Sequence, residues 1–236
     1  VREIGGAEDL LIDAVADPAE VAVLYSTSSD AWQVGRNHAY GFNRMHTWMA
    51  LSHAQIPVDF IAERQIERGQ LAGRKVCYLS GPNLTRAAAL KLRDWVKFGG
   101  SLFLSAGAAM RDEFNRPMDI LSDLVPAERK PVVTAQDYRN SGSYVHILKP
   151  VDTATVDGAA MEVLSVRQLQ TPKQGARTMA RFSDGTPALI HGKAGRGAVF
   201  SAGFLPALDY IKQAVVARRS LIAEHDDALK SAALQG

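Results

Sequence analysis

The residues of this chain with chemical potential gather in three short segments, each placed behind a run of apolar residues. Ser28, Asp30 and Trp32 lie in Ser26–Arg36, after VAVLY. Gly81, Pro82 and Asn83 follow VCYL, and Arg111, Asp112 and Glu113 lie in the loop after LFL. These nine are the candidates for contact with a ligand or an interface. Backbone amides at Gly81–Asn83 could receive an oxyanion or phosphate. One glycine does not make a phosphate-binding loop, however, and a plain turn is the simpler reading. Asp112 and Glu113 could face a ligand, but adjacent carboxylates commonly mark a solvated loop, and no carboxylate spacing predicts an acid–base pair.

Nucleophiles are scarce. Ser105 is the one hydroxyl in SAGAA, where α/β proteins often carry a nucleophile on a sharp strand-to-helix turn. It belongs to the strand end rather than to the turn. Cys77, the single cysteine, sits inside an apolar run and reads as a small core residue with a raised pKa. His38, His46 and His53 share one helical face, but their spacing separates them by about 10–12 Å of rise at each step, too far to ligate one metal. They read as part of a mixed polar face. His191 has no carboxylate partner by sequence. No catalytic residue, metal site or cofactor is expected.

The elements that must position these loops are organised around KVCYLSGPNLTRAAALKLRDWVKFGGSLFLSAG, residues Lys75–Gly107. Val76–Leu79 has the unbroken apolar character of a strand buried on both faces. Thr85 is placed to cap a helix in which Ala88, Leu92, Trp95 and Val96 form an inner stripe, and Gly99-Gly100 ends it with positive-φ positions. Leu102–Leu104 is the next strand, parallel to the first through a right-handed crossover. Upstream, Ala7–Ala16 reads as a lead-in helix, Val21–Tyr25 as the first strand and Ser26–Arg36 as a polar loop. Asn37–Gln55 reads as a helix with Phe42, Met45, Trp48 and Met49 inward. Val58–Ala62 is the second strand, Arg64–Arg74 a charged connection, and Met118–Leu124 a short helix.

From Ala127 the pattern shortens to β-like runs at Pro131–Ala135, Tyr144–Leu148, Met161–Val166, Thr178–Phe182, Ala188–His191 and Ala198–Ser201. The last two form a hairpin around GKAGRG. A helical stretch, Leu205–Leu234, closes the chain, with Ile211, Val215, Val216 and Leu221 inward. The expected fold is α/β and flavodoxin-like: an open, mainly parallel sheet with helices on both faces, an antiparallel β-rich segment and a C-terminal helix. The Val58 strand should flank the Val21 strand on one side and the Val76 strand on the other. In domain terms, 1–17 is a lead-in, 18–206 the α/β domain with 127–175 as a β-rich insertion, and 207–236 a helical extension.

Composition narrows the function classes. The net charge of +2, with lysine and arginine scattered, argues against a nucleic-acid partner. One cysteine rules out a disulfide framework. No apolar run approaches a membrane span and no secretory signal opens the chain, so a soluble protein of open compartment and no membrane partner is expected. The start at Val1 suggests a fragment of a longer protein.

Taken together, EVAVLYSTSSDAWQ, AQIPVDFI, the Lys75–Gly107 unit with its preceding Gly-Arg, DEFNRPMDILSDLVP and DGTPALIHGKAGRGAVFSAGFLP resemble the glutamine-amidotransferase-like, or trimerisation, domain of bacterial β-galactosidases. The resemblance spans roughly 18–126 and 176–206. It implies a non-catalytic domain beside a barrel glycosidase, with a homo-oligomer or an upstream catalytic domain as partner and carbohydrate as a candidate ligand. True glutamine amidotransferases carry a cysteine after the strand that here is Ser101–Ser105, and a later His–Glu pair. This chain has Gly107-Ala108 there and no His-x-Glu, so glutamine hydrolysis is not implied. Two function classes follow: a contact domain of a larger carbohydrate-active protein, or a stand-alone hydrolase or small-molecule binder using the loops named above. Trp32, Tyr40, Phe114 and Tyr210 are the aromatics expected at an interface.

Overall fold

The computed structural model describes residues 19–33, 39–134 and 150–210, together with Gly6, Ile12 and Lys212. The lead-in helix, the Tyr144–Leu148 strand and the inner positions Ile211, Val215, Val216 and Leu221 lie outside the described residues. Nine strands form one sheet in the order β2-β1-β3-β4-β13-β12-β11-β7-β8. Its first half is parallel: β2 (Val58–Ala62), β1 (Val21–Tyr25), β3 (Val76–Leu79), β4 (Ser101–Leu104) and β13 (Gly197–Ala202). The expected neighbours of the Val21 strand are found. The second half is antiparallel: β12 (Pro187–Ala194), β11 (Arg177–Phe182), β7 (Pro150–Val156) and β8 (Ala159–Leu164). The sheet is therefore mixed rather than mainly parallel. The β-rich runs continue it edge to edge through the GKAGRG hairpin. Short antiparallel pairs, β5 (Ala127–Arg129) with β10 (Gln170–Pro172) and β6 (Val133–Thr134) with β9 (Val166–Arg167), stand beside it.

Alternation along the strands sends neighbouring residues to opposite faces. Ala22, Leu24, Cys77, Leu79, Leu102, Leu104 and Val199 face α4 (Arg86–Lys97), which buries Ala88, Ala89, Leu92 and Val96 against them. Each of the larger side chains contributes about 2 kcal/mol by leaving water. Thr85 caps α4 as its sequence requires, its Oγ1 accepting from the Ala88 amide at 3.1 Å. Of the two glycines that end the helix, only Gly99 needs a positive φ, at 127°. Gly100 is a matter of space: a Cβ there would sit 2.4 Å from the half-buried Trp95 ring.

Helix α2 (Ala39–His53) lies on the other face and keeps only part of the expected inner stripe, Phe42 being packed against the core. Its buried residues are Ala39, Tyr40, Asn43, Arg44 and His46, whereas Met45 and Trp48 are exposed. The polar side chains are drawn inward because each meets a specific partner. Asn43 donates to Ser80 Oγ at 3.1 Å and accepts from the Ala207 amide at 3.0 Å. Arg44 grips Asp30 through both terminal nitrogens, at 3.1 and 2.9 Å, and covers the Tyr25 ring at 4.3 Å. Beyond α2 the same face carries a ladder of rings, Tyr78, Phe103, Phe200 and His191, on four adjacent strands at 5.3, 6.3 and 4.6 Å spacing.

His46 is buried, and loss of hydration lowers its pKa to about 4 against a hydrogen bond to the Ala207 backbone that pulls the other way. The folded value lies below the ordinary 6.5, so its contribution to stability is complete above pH 6.5 and is lost as the pH falls from there toward 4. Urea unfolding across that window should show a decline of up to about 3 kcal/mol. His46→Leu should flatten it, and an unchanged slope in that variant would refute the assignment.

Two further expectations are corrected. Ser26–Arg36 is not simply a loop, because Thr27–Gln33 forms helix α1 with Ser26 as its cap, the Ser26 Oγ accepting from the Ser29 amide at 2.9 Å. Met118–Leu124 is a series of turns rather than a helix. No helix among the described residues is long and apolar enough to cross a membrane.

Candidate functional site

The chain passes from β1 to β2 on one side and then crosses back to β3 on the other, which opens a crevice at the carboxyl ends of β1 and β3. The first residue of α3 (Glu63–Glu67) fills it. The Glu63 carboxylate is buried and lies 2.6 Å from Thr27 Oγ1, 3.1 and 3.0 Å from the Ser28 amide and hydroxyl, and 3.1 Å from the Thr85 amide. The Ser26 hydroxyl stands at 3.2 Å. The Ser28 and Thr85 amides belong to the starts of α1 and α4, so the carboxylate occupies the position an anionic ligand would take at two helix N-termini. Among the described residues no lysine or arginine forms an ion pair with it.

Around this carboxylate most of the nine candidates are spent on one another. Ser28 and Asp30 bind Glu63 and Arg44. Gly81, at φ 119°, lets the β3–α4 loop approach α1 so closely that a Cβ would lie 2.5 Å from Ser29 Oγ. The Asn83 amide and carbonyl both bond Ser29 Oγ, at 2.9 and 2.7 Å, and its side chain donates to the Asp112 carbonyl at 3.0 Å. Asp112 is buried and Oδ1 accepts from the Phe114 and Arg116 amides, which shapes its own loop rather than leaving it solvated. Glu113 accepts from the Arg86 amide at the start of α4, and its carbonyl accepts from Trp32 Nε1 at 2.9 Å.

The remaining three candidates, Trp32, Pro82 and Arg111, line a groove of about 530 Å³ with Met110 and Asn115. Trp32 is 41% exposed although its indole N–H is held, and Arg111 has one nitrogen on the Asn115 carbonyl at 2.8 Å. Tyr40, read as an interface aromatic, is instead buried in the core beneath this groove. Phe114 and Tyr210 are exposed, the latter bonded to His53 at 2.7 Å. The three helix histidines are not a common polar face: His46 is buried, His53 is at the surface and His38 lies outside the described residues. No group of three or more His, Cys, Asp or Glu among the described residues could hold a metal.

Ser105 is buried with its Oγ 3.1 Å from Ser80 Oγ and 3.3 Å from the Leu79 carbonyl. That hydroxyl chain tethers β4 to β3 and contains no base. Cys77 is fully buried, which pushes its thiol up to about 12. Its labelling by a small alkylating reagent should therefore be slow in the native protein and fast in denaturant. Fast native labelling would contradict the packing, and Cys77→Ala should retain any binding the protein has.

Sequence reading missed Glu63, Ser26 and Ser29. The available signal was the density of hydroxyls in STSS after β1, which demands a buried acceptor once that segment folds onto the sheet.

No family model matches the chain. It is 27% identical over 219 residues to the β-galactosidase BgaH of Haloferax lucentense, covering 88% of this chain and 31% of that protein. Among solved structures, Gan42B, a GH42 β-galactosidase from G. stearothermophilus, superposes with a TM-score of 0.69 at 18% identity, covering 92% of this chain and 33% of that one. The β-galactosidase of Bacillus circulans gives 0.70 at 16% identity, covering 91% and 32%. An exo-β-1,4-mannosidase from an Opitutaceae bacterium gives 0.59 at 18% identity, covering 92% and 36%. The chain spans about a third of each of these proteins, and what it has in common with the solved ones is the fold of that third.

Proposed function

We propose that this chain is a non-catalytic, amidotransferase-like domain of a larger, carbohydrate-active, β-galactosidase-like protein, and that it works by contact, first of all with further copies of itself. The carrying observation is that the crevice where this fold binds ligands is closed by the chain's own Glu63 carboxylate. The order β2-β1-β3-β4-β13 supports the flavodoxin-like reading, and the partial coverage of β-galactosidases supports a domain within such a protein. On this reading the 236-residue chain turns over neither glutamine nor aryl β-galactosides. Turnover of either that is lost on Ser105→Ala would overturn it.

A second reading rests on the Trp32 groove, whose half-exposed indole could stack on a pyranose ring beside the Arg111 and Asn115 polar groups. Saturable quenching of tryptophan fluorescence by galactose, lost in Trp32→Ala, would favour this small-molecule role. A flat titration would dismiss it.

A further inference from the structure

A different recess, which shares Met110 and Pro117 with the Trp32 groove, is lined by a cation that forms no ion pair with a carboxylate of the described residues. Arg129 ends β5, and its side chain reaches back under the loop after β4, where Nη1 donates to the Ala108 carbonyl at 2.7 Å. A guanidinium carries five N–H donors. No carboxylate of a described residue lies in ion-pair range of this one, and Ala108 is the one hydrogen-bond acceptor it has among them. The side chain is half-buried, and a guanidinium with most of its donors unused is a ready partner for an oxyanion. Loss of hydration lowers the Arg129 pKa to about 10.

The recess beside it measures about 570 Å³ and is lined by Met118, Leu121 and Val125 on its apolar side and by Lys173 on the other. Lys173 is exposed, with one donor on the Ser122 carbonyl at 2.7 Å and the rest of its ammonium open to solvent or a ligand. Asp119 and Glu128 also line it, both exposed and neither paired with Arg129. The four charges roughly cancel at long range, so any attraction must come from short, directed hydrogen bonds.

We infer that this recess is a binding site for a small oxyanion, a carboxylate or sulfate group, held by the Arg129 guanidinium with Lys173 as the second donor and a short apolar portion against Met118 and Val125. Carboxylate and sulfate both present a pair of oxygens that can accept two parallel N–H bonds from the guanidinium fork, which chloride cannot.

The test is titration of the chain with sodium sulfate and with sodium acetate, each against sodium chloride at equal ionic strength. Melting temperature and the ¹⁵N signal of the Arg129 Nε–H are followed. Sulfate should shift both saturably, with a melting rise of about 4 °C at ten times the half-saturation concentration. Arg129→Gln should abolish the shift, and Lys173→Gln should raise the half-saturation point about tenfold. Should Arg129→Gln fail to fold, the wild-type Nε–H signal and the Lys173→Gln titration decide the matter alone. A response no larger than that to chloride, a shift that never saturates, or one unchanged in Lys173→Gln would overturn the assignment.

Discussion

Glu63→Ala is expected to lower the unfolding free energy by about 3 kcal/mol, the largest effect of any single substitution considered. The carboxylate accepts from the amides that begin two helices and from the hydroxyls of Thr27 and Ser28, all in a site with little water. Removing it leaves these donors without an acceptor, and each buried orphan costs about 1–3 kcal/mol. Part of that is returned because a buried negative charge no longer has to be desolvated. For a chain of this length the net loss corresponds to a melting temperature lower by about 6–12 °C. Glu63→Gln should be intermediate, since its amide presents donors where Thr27 and Ser28 also donate. Acetate should recover part of the stability of Glu63→Ala, because the vacated crevice is an anion site at two helix ends. A loss below about 1 kcal/mol, beneath the range for a single orphaned donor, would show that the carboxylate is not what closes the crevice.

The second large effect concerns surface rather than core. Trp48 and Phe60 stack at 6.0 Å on the outer side of α2 and the edge strand β2, 37% and 44% exposed, with Met45 and Ile56 also exposed on α2 and just before β2. β2 ends the sheet among the described residues, and on the contact role proposed above this apolar cluster is the candidate surface. Trp48→Glu should weaken self-association about 100-fold or more, the scale of an aromatic hot spot worth roughly 3 kcal/mol. Monomer stability should change by less than about 1 kcal/mol, because the side chain is not a core element. Leu90→Glu, on the exposed side of α4, serves as the control and should leave association unchanged. Equal effects of the two substitutions would remove the surface from consideration.

How much of this was readable from the sequence differs by element. The four parallel core strands and α4 were legible because unbroken apolar runs, a threonine cap and a glycine pair all act locally. Helix α2 was not. Its hydrophobic residues suggested an inner face of Phe42, Met45, Trp48 and Met49, whereas Asn43, Arg44 and His46 are drawn in by partners as distant in sequence as Ala207. Strand β7 escaped because PVDTATV alternates weakly and is specified by its pairing with β8 and β11. For the candidate site, the three loops stand at the carboxyl ends of the strands as their order in the chain implies, but the partners of their side chains were not legible. Ser28, Asn83, Asp112 and Glu113 look free in sequence, and only the folded arrangement shows each bound to another loop or to Glu63.

The proposed contact of this chain with further copies of itself, with the Trp48–Phe60 cluster as its candidate surface, is tested most directly by sedimentation velocity on the 236-residue chain. The runs would span one to one hundred micromolar and include Trp48→Glu at the same concentrations. The account predicts a reversible, concentration-dependent oligomer for the chain and a monomer for the variant throughout. A chain that sediments as a monomer at every concentration, indistinguishable from Trp48→Glu, would contradict it.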